Sequence, residues 1–153
     1  SPYFVSEEEM IQTLTKLLIP KIKSTPIDQL YFYGTGLGNP ANVLIMKKVF
    51  KQLFPKTKTE INTDLLGIAR ASCGNEKGIA CILGTGSNSG FWDGGRISAQ
   101  IPPLGFWLGD EGSGGHLGKL LLLSYLHGQM PVEIRNVFEK RFGVVNVVEA
   151  RTL

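Results

Sequence analysis

Met10, Ile11, Leu14, Leu17 and Leu18 recur at steps of three and four. That spacing puts apolar side chains on one face of an α-helix. Ser6 and Glu9 stand just ahead in the S-x-x-E arrangement of a capping box, in which each side chain satisfies an amide of the first turn. A helix is therefore predicted from Ser6 to Leu18, stopped by Pro20. A short apolar strand follows at Gln29–Tyr33 and halts at Gly34. Asn39-Pro40 reads as an N-cap followed by proline at the first helical position. The helix it opens runs to about Phe54, with Val43, Ile45, Met46, Val49, Phe50 and Leu53 mostly on one face.

Lys58–Asn62 is a second strand, and Thr63-Asp64 opens a helix over Leu65–Ser72. Gly78–Leu83 is apolar throughout, the pattern of a strand buried on both faces. Ser87–Trp92 and Arg96–Ile101, joined by Asp93-Gly94-Gly95, read as a hairpin closed by Pro102-Pro103. Gly112–Leu126 and Pro131–Phe142 are helices halted by Gly128 and Gly143. Strands separated by helices imply crossovers and a largely parallel sheet, hence an α/β fold. A new meander begins after Gly78. The pattern thus predicts a boundary near Cys73–Lys77, with 1–76 ending one α/β lobe and 77–153 starting another.

Composition narrows the function classes. A 42% hydrophobic and 19% charged chain of 153 residues is ordinary for a water-soluble fold. The net charge of +3 is spread without a dense basic run, so no nucleic-acid partner is implied. No apolar run reaches the roughly 20 residues of a membrane span, so no membrane partner is implied. Cys73 and Cys81 lack metal-site or disulfide-framework spacing and suit a reducing, cytoplasmic setting. The 19 glycines cluster in Gly34–Gly38, Gly84–Gly95 and Gly105–Gly118, so they mark particular turns.

Candidate chemistry sits at those turns. Gly84-Thr85-Gly86-Ser87 follows the most apolar strand. Glycines there let backbone amides approach an anion, and the two hydroxyls add donors. A tight turn with no ligand explains the same residues. Asp64 is either an N-cap or first-turn acid of its helix or a general base at the carboxyl end of a sheet strand, where α/β proteins bind ligands. In Leu108–Lys119, "LGDEGSGGHLGK", Asp110 or Ser113 could cap the helix that follows. The five glycines equally suit a close ligand, with Asp110 accepting from sugar hydroxyls. His116 has no partner at metal spacing and reads as packing or surface. Trp92, Phe106 and Trp107 read as core.

The ordered set "INTDLLGIARA", "ILGTGSN" and "PPLGFWLGDEGSGGHLGK" resembles the N-acetylglucosamine kinase / BadF-BadG ATPase family of the sugar kinase, Hsp70 and actin superfamily. The resemblance covers roughly Pro2–Phe142. It implies a ribonuclease-H-like, actin-like ATPase fold whose two related lobes face each other across a cleft. It further implies an ATP-dependent kinase acting on a hydroxyl of a small amino sugar, with ATP and Mg²⁺ as cofactors. Asp64 matches the family's catalytic aspartate. Gly84, Thr85, Gly86 and Ser87 match its second-lobe phosphate loop. Thr35, Gly36, Asn88 and Asp110 match positions near the sugar. "YGTGLG" at Tyr33–Gly38 would then echo "LGTGSN" as a similar strand-end turn of the first lobe.

The partner implied is a small-molecule sugar, and the resemblance leaves room for a homodimer. The alternatives are an ATPase that activates a partner enzyme and a non-catalytic sugar- or nucleotide-binding module. The chain also departs from the family pattern. Ser1–Ile27 carries nothing like its D-G-G-[ST]-K-T-type loop, and Ser1-Pro2 stands where the family has an Asn-Pro-type sugar contact. Pro102-Pro103-Leu104 stands where some relatives carry Gly-Gly-Trp. The later glycine-rich adenosine segment has no counterpart. These 153 residues therefore read as the middle of a longer kinase, expected by themselves neither to hydrolyse ATP nor to phosphorylate sugar efficiently.

Overall fold

The computed structural model describes residues 2–22 and 26–150, so Ser1 of the Ser1-Pro2 position lies outside the described residues. The chain packs as two compact units. Residues 1–80 and 90–100 form the first, and 81–89 and 101–153 form the second.

In the first unit, helix α1 (Glu7–Leu17) has its predicted capping box: the Ser6 hydroxyl accepts from the Glu9 amide, and the Glu9 carboxylate accepts from the Ser6 amide. A short turn of helix, α2 (Ile19–Ile22), continues through Pro20. Proline thus ends the first helix and sits inside the next turn, where its missing amide costs little. Strand β1 (Gln29–Gly34), helix α3 (Pro40–Leu53) and strand β2 (Lys58–Thr63) form a β-α-β unit whose strands are parallel, with Gly34 opposite Thr63. The Asn39 side chain caps α3 through the Ala41 amide.

The core of this unit is Leu37, Met46, Phe50 and Phe54. Leu30 and Phe32 of β1 and Ile61 of β2 pack on it from one sheet face, and Met10 and Leu14 of α1 from outside. Phe32 and Phe50 meet with ring centroids 5.0 Å apart. Helix α4 (Asp64–Cys73) contacts both β1 and β2. The ring of Tyr33 leaves no room for a side chain at Gly67, since a β-carbon there would sit 2.9 Å from it. Arg70 donates to the Tyr33 hydroxyl at 2.6 Å and to Glu60 Oε1 at 2.7 Å. That hydrogen bond holds the Glu60 carboxyl below its ordinary value.

Strands β3 (Gly78–Leu83), β4 (Ser87–Trp92) and β5 (Ile97–Gln100) form a second sheet in the order β3-β4-β5. The chain therefore carries a parallel pair and a separate meander, not one largely parallel sheet. β4 and β5 are antiparallel, with a bulge between Phe91 and Trp92. In the turn between them, Asp93 accepts from the Gly95 and Arg96 amides. Trp92 is buried as expected and donates its indole N–H to the Gly74 carbonyl.

Two burial expectations are corrected. β3 is not covered on both faces. Ala80 is 3% exposed, but Ile79 and Leu83 on the opposite face are each 72% exposed. An apolar run says that a strand could be buried twice; only a covering element makes it so, and none of the described elements covers that face. Phe106 and Trp107 also lie outside the core, with Trp107 82% exposed.

The second unit holds short helix α5 (Gly105–Leu108), helix α6 (Gly114–Leu126), helix α7 (Val132–Phe142) and the terminal turn α8 (Val147–Ala150). Tyr125, Met130 and Phe138 form its small core, with Tyr125 stacked on Phe138 at 4.5 Å. Glu139 accepts from the Tyr125 hydroxyl and from Arg135 Nε, both at 2.9 Å. No helix among the described residues is long and apolar enough to cross a membrane.

Candidate functional site

In the first unit the candidate residues gather at one end of the β1–β2 pair. Gly34 and Thr63 are register partners, so Thr35 and Asp64 leave the carboxyl ends of neighbouring parallel strands. Open α/β sheets bind ligands at that end. The Gly34–Asn39 turn is anchored by buried Leu37 and by the buried Asn42 side chain, which donates to the Gly36 carbonyl at 2.9 Å. Gly36 adopts φ +78, a conformation glycine takes without steric cost. Neither Gly84 nor Gly86 is among the positive-φ glycines. The echo between the two Gly-Thr-Gly stretches is thus one of sequence, not of backbone conformation.

Thr63, not Asp64, caps α4: its hydroxyl accepts from the Leu66 amide at 3.3 Å. Asp64 occupies the first helical position, half-buried, with Oδ1 near the Leu65 amide at 2.9 Å. Its Oδ2 accepts no hydrogen bond among the described residues. The N-cap reading of Asp64 is excluded, because the capping duty falls on the neighbouring threonine.

In the second unit the Gly84–Ser87 turn is laced to the loop before α6. The Gly114 amide donates to the Gly84 carbonyl at 2.8 Å and the Gly115 amide to the Thr85 carbonyl at 3.0 Å. The Ser87 amide donates to Asp110 Oδ1 at 3.1 Å. Within the turn the Gly84 amide donates to the Gly86 carbonyl. The Thr85 and Gly86 amides remain without a protein partner among the described residues, so two donors are open to an anion or a polar ligand. A β-carbon at Gly115 would lie 2.8 Å from the Thr85 carbonyl oxygen, which is why the loop needs glycine there.

Asp110 is the one non-glycine residue at positive φ among those described, at φ 62. Aspartate tolerates this region better than most residues. Its carbonyl accepts from the Ser113 amide. Fully buried Ser113 caps α6 through the His116 amide, which settles the choice of cap in favour of the serine. His116 Nδ1 accepts from the Gly112 amide, so this histidine closes the loop.

A cleft of about 410 Å³ opens in this unit. Its polar lining comes from Ser87, Asn88, Ser89, Asp110 and Glu111, and its apolar wall from β3 and Ile101–Leu104. Ser87, grouped by sequence with the phosphate loop, therefore shares a cleft with Asn88 and Asp110. Gly84, Thr85 and Gly86 do not line it.

The chain is similar to a solved structure. That structure is of a Porphyromonas gingivalis protein provisionally named an N-acetylglucosamine kinase, which superposes with a TM-score of 0.85 and 41% identity over 95% of this chain. This likeness is consistent with the N-acetylglucosamine kinase / BadF-BadG family that the motifs resemble. Its fold is accordingly that of the actin-like ATPases. It spans 52% of that relative's chain, about half. No family model matches the chain, and a search of the curated proteins finds no match.

The candidates fall into two sets. Thr35, Gly36 and Asp64 belong to the first unit; Gly84, Thr85, Gly86, Ser87, Asn88 and Asp110 belong to the second. The two open amides and two hydroxyls of the turn suit phosphate oxygens, while the Asp110 carboxylate beside them suits a neutral hydroxyl donor better than a second anion. For Mg²⁺ the described residues do not make a cage. No three acidic, histidine or cysteine side chains among them cluster suitably.

The sequence reading missed Asn42, which pins Gly36, and the close seat of Asp110 against Gly86. Asn42 had no local signal, as it lies inside a helix. The seat at Gly86 was visible only as an unexplained excess of glycine.

Proposed function

We propose that this chain is part of an ATP-dependent kinase that phosphorylates a hydroxyl of a small amino sugar, N-acetylglucosamine being the first to test. The observation that carries the reading is Asp64. It stands at the carboxyl end of the parallel pair beside the Thr35–Gly36 turn, with the helix cap supplied by Thr63. A carboxylate so freed can take the proton of an acceptor hydroxyl as that oxygen attacks the γ-phosphorus of ATP. The Gly84–Ser87 turn holds phosphate oxygens through its amides, and Asn88 and Asp110 orient the sugar in the cleft they line.

Phosphoryl transfer asks chiefly for positioning and for neutralisation of charge. Mg²⁺ arrives with the nucleotide in this reading, and no resident metal is assigned. The two lobes are taken as 1–76 and 77–153. The likeness to the Porphyromonas protein supports the kinase reading in general, and the polar cleft supports a hydroxyl-rich acceptor.

The test is turnover of N-acetylglucosamine with ATP, measured for the full-length protein that carries this chain and for its Asp64→Asn variant. We expect sugar phosphorylation that falls by a factor of about 10²–10⁴ in kcat in the variant, with sugar affinity largely kept. Equal kcat in both proteins removes Asp64 from the mechanism.

A further inference from the structure

Gly86 stands in a glycine-rich turn whose obvious use is to let phosphate approach. The structure gives it a different neighbour. A β-carbon built at Gly86 would lie 2.9 Å from Asp110 Oδ2, 3.0 Å from Oδ1 and 3.1 Å from Cγ. The carboxylate thus occupies the space a side chain would fill. Gly86 has no positive φ, so its backbone does not itself demand glycine. The demand comes from Asp110.

Asp110 is held in this seat from three directions. Its backbone is at φ 62, its carbonyl accepts from Ser113, and its Oδ1 accepts from the Ser87 amide at 3.1 Å. Oδ2 accepts no hydrogen bond among the described residues, and the residue lines the cleft. The carbonyls of Gly84 and Thr85 are tied in turn to the amides of Gly114 and Gly115, four and five residues beyond Asp110. Turn and loop are therefore one hydrogen-bonded piece, and Asp110 cannot shift without pulling on Ser87.

We propose that Gly86 is a positioning residue for the acceptor: by lacking a side chain it seats the Asp110 carboxylate so that Oδ1 is held by the Ser87 amide and Oδ2 is left to accept from a sugar hydroxyl. The inference rests on the sugar-kinase reading and assigns the missing side chain of Gly86 to acceptor binding, leaving its amide to the phosphates.

The experiment compares the full-length protein that carries this chain with its Gly86→Ala, Asp110→Ala and double variants. It measures N-acetylglucosamine binding by calorimetry and the KM values for sugar and ATP. A hydrogen bond to a charged group supports an affinity loss of about ten- to hundred-fold when it is removed. We expect Gly86→Ala to weaken sugar binding by that factor and to raise the sugar KM, with the ATP KM within about twofold of the original. The methyl group has room once the carboxylate is gone, so the double variant should fold and bind as Asp110→Ala does, with no added loss.

Gly86→Ala that binds sugar normally, or that raises the ATP KM alone, overturns the inference. So do losses that add in the double variant. If sugar binds and Gly86→Ala weakens it but nothing is phosphorylated, the kinase reading falls and the seat stands. If the unsubstituted protein binds no N-acetylglucosamine, both fall. A melting curve for Gly86→Ala matching that of the double variant separates a displaced carboxylate from a general loss of fold.

Discussion

Asp64 and Asp110 are both carboxylates at the end of a glycine-bearing motif, yet the two units hold them in opposite ways. Asp64 sits on a regular helix whose cap is a separate residue, above a layered core in which Phe50 is 3% exposed. Asp110 sits in a left-handed loop, pinned by an amide 23 positions away in sequence, in a unit whose core is Tyr125, Met130 and Phe138. The first carboxylate is free because its surroundings are regular. The second is placed because its surroundings are strained and cross-tied. A residue that must accept a proton needs an open oxygen, whereas one that orients a ligand needs a fixed one.

The largest expected effect separates the two roles directly. Asp64→Asn should lower kcat by about 10²–10⁴ with little change in sugar affinity, whereas Asp110→Asn should raise the sugar KM and leave kcat within about tenfold. Asparagine tolerates the left-handed region and keeps an acceptor for the Ser87 amide. Steady-state kinetics on both variants decides it, and swapped signatures would exchange the roles.

The cores should differ next. Phe50→Ala is expected to cost about 3–5 kcal/mol by denaturant unfolding, the range for a large aromatic removed from a packed core. Phe138→Ala should cost less, because its ring is at the boundary of burial in a core of only Tyr125, Met130 and Phe138. Amides of α6 and α7 should correspondingly exchange faster than those of α3 and β1. Equal costs would show that the two units unfold as one.

Thr63→Ala should destabilise by about 1 kcal/mol, the usual worth of a helix cap. It should also lower kcat, since Asp64 is then the nearest side chain able to cap α4. A stability loss with unchanged kcat would separate the cap from the chemistry.

The smallest effect is one of pH. Arg70 holds the Glu60 carboxyl below its ordinary value, chiefly by their hydrogen bond. The folded state therefore binds that proton less readily than the unfolded chain. The stabilisation is present above the ordinary glutamate pKa of about 4.3 and is lost as pH falls through the lowered folded value. Glu60→Gln should flatten the melting temperature between pH 6 and pH 3 slightly, because the pair is exposed and screened. An unchanged slope would mean that the pair does not brace α4 against the strands.

Much of the architecture was legible residue by residue. Ser6 with Glu9, and Asn39 with Pro40, marked helix starts where the structure has them. The Asp93-Gly94-Gly95 turn marked the hairpin. The motif order around Asp64, Gly84–Ser87 and Asp110 pointed to the family that the Porphyromonas structure supports. Less legible was what each apolar stretch meets. Gly78–Leu83 reads as doubly buried and has one open face; Trp107 reads as core and is exposed.

By itself the sequence determined roughly where the longer helices and the strands begin and end, because caps, prolines and hydrophobic periods act over three or four residues and need no partner; the short helices α2, α5 and α8 carried no such signal. It also determined which turns carry glycine. Only the tertiary structure decided why. Gly86 is small because a carboxylate from a distant loop occupies its side-chain space, Gly115 because a carbonyl does, and Gly36 because its backbone is left-handed. Contacts between residues far apart in the chain depend on how whole elements pack, and no local pattern encodes that.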